Sequence, residues 1–175
     1  MKKYTIAFGI LLSLVLTTCY GAEQGHKEIR EIVSMHSVFS GIPITAVDKY
    51  AVVLKFGDNF ATGVHDSGSK QIFIAKIEKK DVFRHTVMHE ACHYIWDHAK
   101  PELQYAYSKA YQIHGVSVSR YGRTNLKENF AELCARINGS AHRNFFLPEG
   151  YLETSDQFDL ANLIIDQWKG NGIVK

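Results

Sequence analysis

His89, Glu90 and His93 stand in the run His-Glu-Ala-Cys-His. On a helix, residues four apart share a face, so the two imidazoles can converge on one divalent cation. Glu90 falls one position round, beside the coordination place that two histidines leave open. There its carboxylate can take a proton from an attacking water. Two imidazoles and a carboxylate at this spacing are a means of metal-assisted hydrolysis, and Zn²⁺ is the ion they suit. A catalytic zinc also needs a third protein ligand and one open position.

The third ligand must come from another part of the chain. His98 is near, but a His-Glu-x-x-His-x-x-Gly-x-x-His helix would need Gly at 96 and His at 99, where Trp96 and Ala99 stand. Out of that register, His98 is expected on the helix surface. No Gly-Thr-x-x-Asp segment is present either. Glu128 and Glu132 are better placed, four apart on one face of an expected helix. One can bind the ion, and the other can hydrogen-bond the free nitrogen of a ligating histidine and fix its tautomer. Two plainer readings stay open. Asn125 with Glu128 three residues on also forms a capping box, and Glu132 would suit a solvated helix face. His65, His85 and His114 lie near these motifs and are expected to be structural or solvated.

The elements that must carry these residues read as an α+β chain. Ile29, Ile32, Val33 and His36 recur at helical spacing over 26–39, and Ser40-Gly41-Ile42-Pro43 ends that helix. Alternation over 50–56 predicts a strand, and two further short strands are expected at 60–65 and 71–76, with turns between them. Asp81 then caps a helix that runs to about Ala99 and carries the His-Glu-x-x-His run. Further helices are expected over 102–113, from Asn125 to Ile137, and after a Thr154/Gln157 capping box. The expected architecture is a small antiparallel or mixed sheet packed on the motif helix, followed by a mainly helical C-terminal part.

The chain has 175 residues, 20 of them Lys or Arg and 18 Asp or Glu, for a formal charge of +2. That excess is Lys2 and Lys3; residues 23–175 are formally neutral, which leaves no electrostatic footprint for nucleic acid. Lys2-Lys3, an apolar run from Ile6 to Leu16 and the small residues up to Ala22 have the layout of a secretory signal peptide. The expected division is a signal peptide at 1–22 and one domain at 23–175. The apolar run is too short for a stable membrane span. The exported protein would be extracellular or periplasmic after cleavage near Gly21 or Ala22. Alternatively Leu16-Thr17-Thr18-Cys19 resembles a lipobox, which would leave a lipid anchor on Cys19. Cys92 and Cys134 lack metal-type spacing and are expected as two buried thiols, though an oxidising compartment would let them pair.

Tyr121-Gly122-Arg123-Thr124-Asn125, then Glu128-Asn129-Phe130-Ala131-Glu132, resembles the second motif of the anthrax lethal factor catalytic domain and of the secreted Pro-Pro endopeptidases. Thr62-Gly63-Val64-His65-Asp66 into Gln71-Ile72-Phe73-Ile74 is similar to the family's segment before the metal helix, so the likeness spans roughly residues 50–140. Cys92 departs from it by replacing a glycine, and Asn129-Phe130 stands where two aromatics are common. The resemblance implies a zincin-like fold of the gluzincin type and a secreted zinc metalloendopeptidase. It implies that His89, His93 and Glu128 bind one Zn²⁺ and that Glu90 is the general base. Tyr121 would donate its hydroxyl to the oxyanion, and Glu132 would support a ligating histidine from behind. It also implies an extended peptide or protein substrate, laid along the hairpin of residues 60–76. Two alternatives stay open: a secreted zinc-binding interaction protein that cleaves nothing, and a peptidase acting on cell-wall peptides.

Overall fold

The computed structural model describes residues 23–47, 62–75, 77–114, 117–140 and 155–171. The expected signal peptide at 1–22, the expected strand at 50–56 and Thr154 lie outside the described residues. Within them the chain is α+β and mostly helical, with five helices and a three-stranded mixed sheet.

Helix α1 covers 23–35, shorter at its end than periodicity suggests. It buries Ile29 and Ile32, and the chain then tightens into a 3₁₀ turn, Ser37–Phe39, whose Val38 and Phe39 enter the core. The carbonyl of Val38 accepts from Trp168 Nε1 at 2.8 Å, which ties the end of the chain to its beginning.

Strand β1, Ile44–Val47, carries no local signal in the sequence; four residues following Pro43 show little alternation. Its evidence is non-local, a parallel pairing with β3, Gln71–Ala75, in which Ile44 faces Ile72 and Val47 faces Ala75. Strand β2, Gly63–Asp66, pairs antiparallel on the other side of β3, so the order is β1-β3-β2. The β2–β3 turn is organised by Asp66. Its Oδ1 accepts from the amides of Gly68 and Ser69, its Oδ2 from Ser69 Oγ, and Lys70 takes φ 53°.

Helix α2, Lys80–Asp97, carries the motif. Asp81 is not its cap: Lys79 holds that position without a side-chain bond, and Asp81 sits in the first turn, where its charge favours the helix dipole. Pro101 opens α3, Pro101–His114, as its first residue, a place where a missing N–H costs nothing. A second 3₁₀ turn, Tyr121–Arg123, occupies what reads as loop in sequence. Asn125 does cap α4, Leu126–Ile137, accepting from the amides of Lys127 and Glu128. Ser155 caps the last helix, α5, Asp156–Gly170. Gln157 is fully buried and donates from Nε2 to Asn129; the expected box with Thr154 lies outside the described residues.

The core runs from α1, the first 3₁₀ turn and the sheet across α2 to α3, α4 and α5. Trp96, Tyr107 and Phe130 pack as a trio with centroids 5.0 to 5.6 Å apart. Asn129, where an aromatic was common in the resembled motif, has a use here. Its Oδ1 accepts from Tyr107 Oη at 2.7 Å and Gln157 Nε2 at 2.9 Å, joining α3, α4 and α5 at one buried point.

Cys92 and Cys134 form a disulfide, so the expectation of two separate thiols is overturned. Cys92 is on the inward face of α2 and Cys134 on that of α4. The two helices lie side by side with the Cα atoms 5.9 Å apart, a separation a disulfide spans. No helix of the described residues is long and apolar enough to cross a membrane.

Candidate metal centre

Helices α2 and α4 bring together the residues that sequence spacing singled out. His89 Nε2 lies 2.9 Å from Glu128 Oε2 and 3.1 Å from His93 Nε2, and His93 Nε2 is 3.2 Å from the same carboxylate oxygen. Two imidazole nitrogens and a carboxylate oxygen thus point at one another. A tetrahedral cation with bonds of about 2.0–2.1 Å sets neighbouring ligand atoms roughly 3.3 Å apart, so a small closing or opening of side chains suffices to hold one. Three carboxylates around the histidines, those of Glu90, Glu128 and Glu132, supply the negative charge that a dication would balance. His89, His93 and Glu128 therefore fit a metal ion.

Glu128 reaches this point because Asn125 holds its amide while its carboxylate turns inward. The capping box is half made: the cap accepts from the Glu128 N–H, and the Glu128 carboxylate goes to the histidines. Burial tends to raise its pKa, but His89 and His93 outweigh that and hold it at about 2.

Glu132 lies one turn further along α4, behind His89. Its Oε1 is 3.0 Å from His85 Nε2 and 2.8 Å from His89 Nδ1. The His89 contact is close but poorly aligned: the N–H direction misses the oxygen, leaving Nδ1 a buried donor without a directed bond. Burial pushes Glu132 up, yet His85 and His89 hold its carboxyl well below the usual range. For His89 the balance is the mirror image. Burial pulls the imidazole down, and Glu128 and Glu132 carry it up to about 10 without a metal. His85, His89 and Glu132 are themselves a largely buried trio whose ligand atoms lie within 4.8 Å of one another, able to hold a metal as a set. His89 belongs to both trios, one through each ring nitrogen.

Glu90 is buried beside the first trio, and burial raises its carboxyl pKa. It accepts a hydrogen bond from the main-chain N–H of His65, so β2 positions it. The strand comes in closely because residue 63 is glycine. A Cβ there would stand 2.7 Å from Thr86 Cγ2 and 2.8 Å from Glu90 Cγ. Gly63→Ala is therefore expected to destabilise the fold by about 1–3 kcal/mol, as overpacking does. Denaturant melts check this, and an unchanged midpoint would show that the strand can retreat.

Tyr121 sits at the rim, 5.6 Å from His89 between ring centroids, with its phenol at Glu128. Burial, then the carboxylates of Glu128 and Glu90, push that phenol up to about 12, so it keeps its proton. Gly122 lets this turn close on the segment before it, since a Cβ there would meet Ser117 Oγ at 2.6 Å, with Glu132 Cβ of α4 at 3.4 Å.

Among the described residues, His65 and His98 lie outside the trios. His98 ends α2, its Nδ1 at the carbonyl of Tyr94, and stacks on that ring at 4.2 Å. His65 Nδ1 stands 3.6 Å from Asp97 Oδ2. His85, expected to be structural or solvated, lies four residues before His89 on the same face of α2 and reaches Glu132 Oε1 at 3.0 Å.

Comparison with protein-family models, with curated proteins and with solved structures finds no match to this chain.

Proposed function

We propose that this chain is an exported zinc-dependent endopeptidase of the lethal factor-like kind, with a zincin-like arrangement of sheet and motif helix. The observation that carries the reading is the convergence of His89, His93 and Glu128 from two helices, with Glu90 and Tyr121 beside them.

A bound zinc ion would activate water and polarise a peptide carbonyl. His89, His93 and Glu128 would hold it. Glu90, raised by burial and oriented by the His65 amide, accepts the proton of the attacking water and passes it to the leaving amine. Tyr121, protonated at all ordinary pH values, donates to the oxyanion that develops on the carbonyl. Glu132 orients His89. Among the described residues β2 is the outer strand nearest Glu90, which suits an extended peptide lying alongside it. The Cys92–Cys134 disulfide suits an oxidising compartment outside the cytoplasm.

The test is zinc content together with cleavage of a peptide library read by mass spectrometry. Stoichiometric zinc with defined cleavage sites supports the reading. Zinc without cleavage would make the protein a zinc-binding interaction protein, and cleavage confined to cell-wall peptides would move the substrate class. Tyr121→Phe is expected to lower turnover roughly 10²- to 10³-fold, the usual effect of losing one oxyanion donor, with zinc retained. Loss of zinc in that variant would give Tyr121 a structural role instead.

A further inference from the structure

We infer that His85 is a positioning residue for the metal centre, acting through Glu132 to set which nitrogen of His89 faces the ion. The inference rests on the zinc reading above and deepens it.

The observation is a chain of contacts running inward from the end of α4. Ser140 Oγ lies 2.9 Å from His85 Nδ1, His85 Nε2 lies 3.0 Å from Glu132 Oε1, and that oxygen lies 2.8 Å from His89 Nδ1. Ser140 is 2% exposed and the Glu132 side chain 3%. The backbone aims the first member. Gly139 takes φ +85°, and the amides of Gly139 and Ser140 turn back to the carbonyls of Arg136 and Ala135. This is the glycine-terminated helix end that satisfies the last carbonyls, and it delivers Ser140 to His85.

Hydrogen-bond chemistry then fixes the direction. A carboxylate oxygen only accepts, so both nitrogens next to Glu132 must carry hydrogen. His85 Nε2–H donates to Glu132, which leaves His85 Nδ1 to accept from the Ser140 hydroxyl. His89 Nδ1–H stands 2.8 Å from the same oxygen, though out of line with it, so the proton a metal would displace is the one on Nε2, whose lone pair then faces the ion beside His93 and Glu128. Without His85, Glu132 loses the directed donor that pins Oε1, and the misaligned His89 contact is left to hold the carboxylate alone. Outer partners of this kind change metal affinity by about 10- to 100-fold.

The experiment is a competition titration of the full-length protein with zinc and a chromophoric chelator at fixed pH. It compares wild type with His85→Leu, His85→Gln, Ser140→Ala and His93→Ala, alongside thermal melts of the metal-free proteins. His85→Leu is expected to weaken zinc binding about 10- to 100-fold. His85→Gln, whose amide can still donate to Glu132, is expected to recover most of that loss. Should His85→Leu fail to fold, His85→Gln and Ser140→Ala carry the comparison, with Ser140→Ala expected to weaken binding less than His85→Leu would. A lower melting temperature with unchanged zinc affinity would make His85 merely structural and overturn the inference while leaving the zinc reading intact. Abolished binding in His85→Leu with binding kept in His93→Ala would place the ion in the deeper trio and overturn both. A wild-type protein that binds no zinc removes both as well.

Discussion

Glu90→Gln should leave zinc bound and lower peptide hydrolysis by roughly 10²- to 10⁴-fold, the range over which a positioned general base contributes. The substitution is mild in every other respect. Glu90 is outside both metal-holding trios, and the amide oxygen of Gln can still accept from the His65 N–H. Its burial, which raises the pKa of the carboxyl, makes a neutral replacement easier to accommodate than the charged original. Turnover and zinc content measured on the same sample separate the roles. Unchanged turnover would falsify the assignment of Glu90 as base. Loss of zinc would mean that the side chain supports the ligands more than it serves the reaction.

The second large effect concerns the disulfide. Cys92→Ala/Cys134→Ala should destabilise the metal-free protein by about 4 kcal/mol, from the entropy of a cross-link spanning 42 residues. For a chain of this size that corresponds to a fall in melting temperature on the order of 10 °C. Both positions are fully buried and the new alanines leave no polar atom behind, so repacking adds little to compensate. Calorimetry of the double variant, with chemically reduced wild type as a second arm, tests it. Melting within a degree or two of the parent in both arms would mean that α2 and α4 need no covalent tie. The link joins the helix of His89 and His93 to the helix of Glu128, so the same variants should also hold metal less firmly.

What the sequence discloses and what it conceals divides along locality. The motif helix, its partner from Asn125 to Ile137 and the hairpin turn at Asp66 are legible because their signals sit within a few residues: spacing, a cap, a cluster of turn formers. Strand β1 is hidden because its warrant is a pairing with β3, far along the chain. The same holds for Cys92 with Cys134, whose meeting depends on how two helices lie together. At the site, spacing alone left Glu128 divided between capping and ligation. The structure divides the tasks instead, giving the cap to the Asn125 side chain and turning the Glu128 carboxylate to the histidines. The position of His85 on α2 is legible from its spacing to His89, but only the third dimension brings Glu132 beside it.

The exposure of these side chains is graded. It climbs from 3% at Glu132 through 6% at His89 and 12% at His93 to 17% at Glu128, and Tyr121 is 55% exposed. Among the described residues this gives the centre a floor and a threshold. Traffic in ions, water and chain segments would cross the threshold at Tyr121 and Glu128, while the floor of Glu132 and His89 stays dry. A chelator or inhibitor that enters on this side passes the Tyr121 ring, which makes the bulk of that ring, separately from its hydroxyl, a determinant of how fast the centre exchanges what it holds.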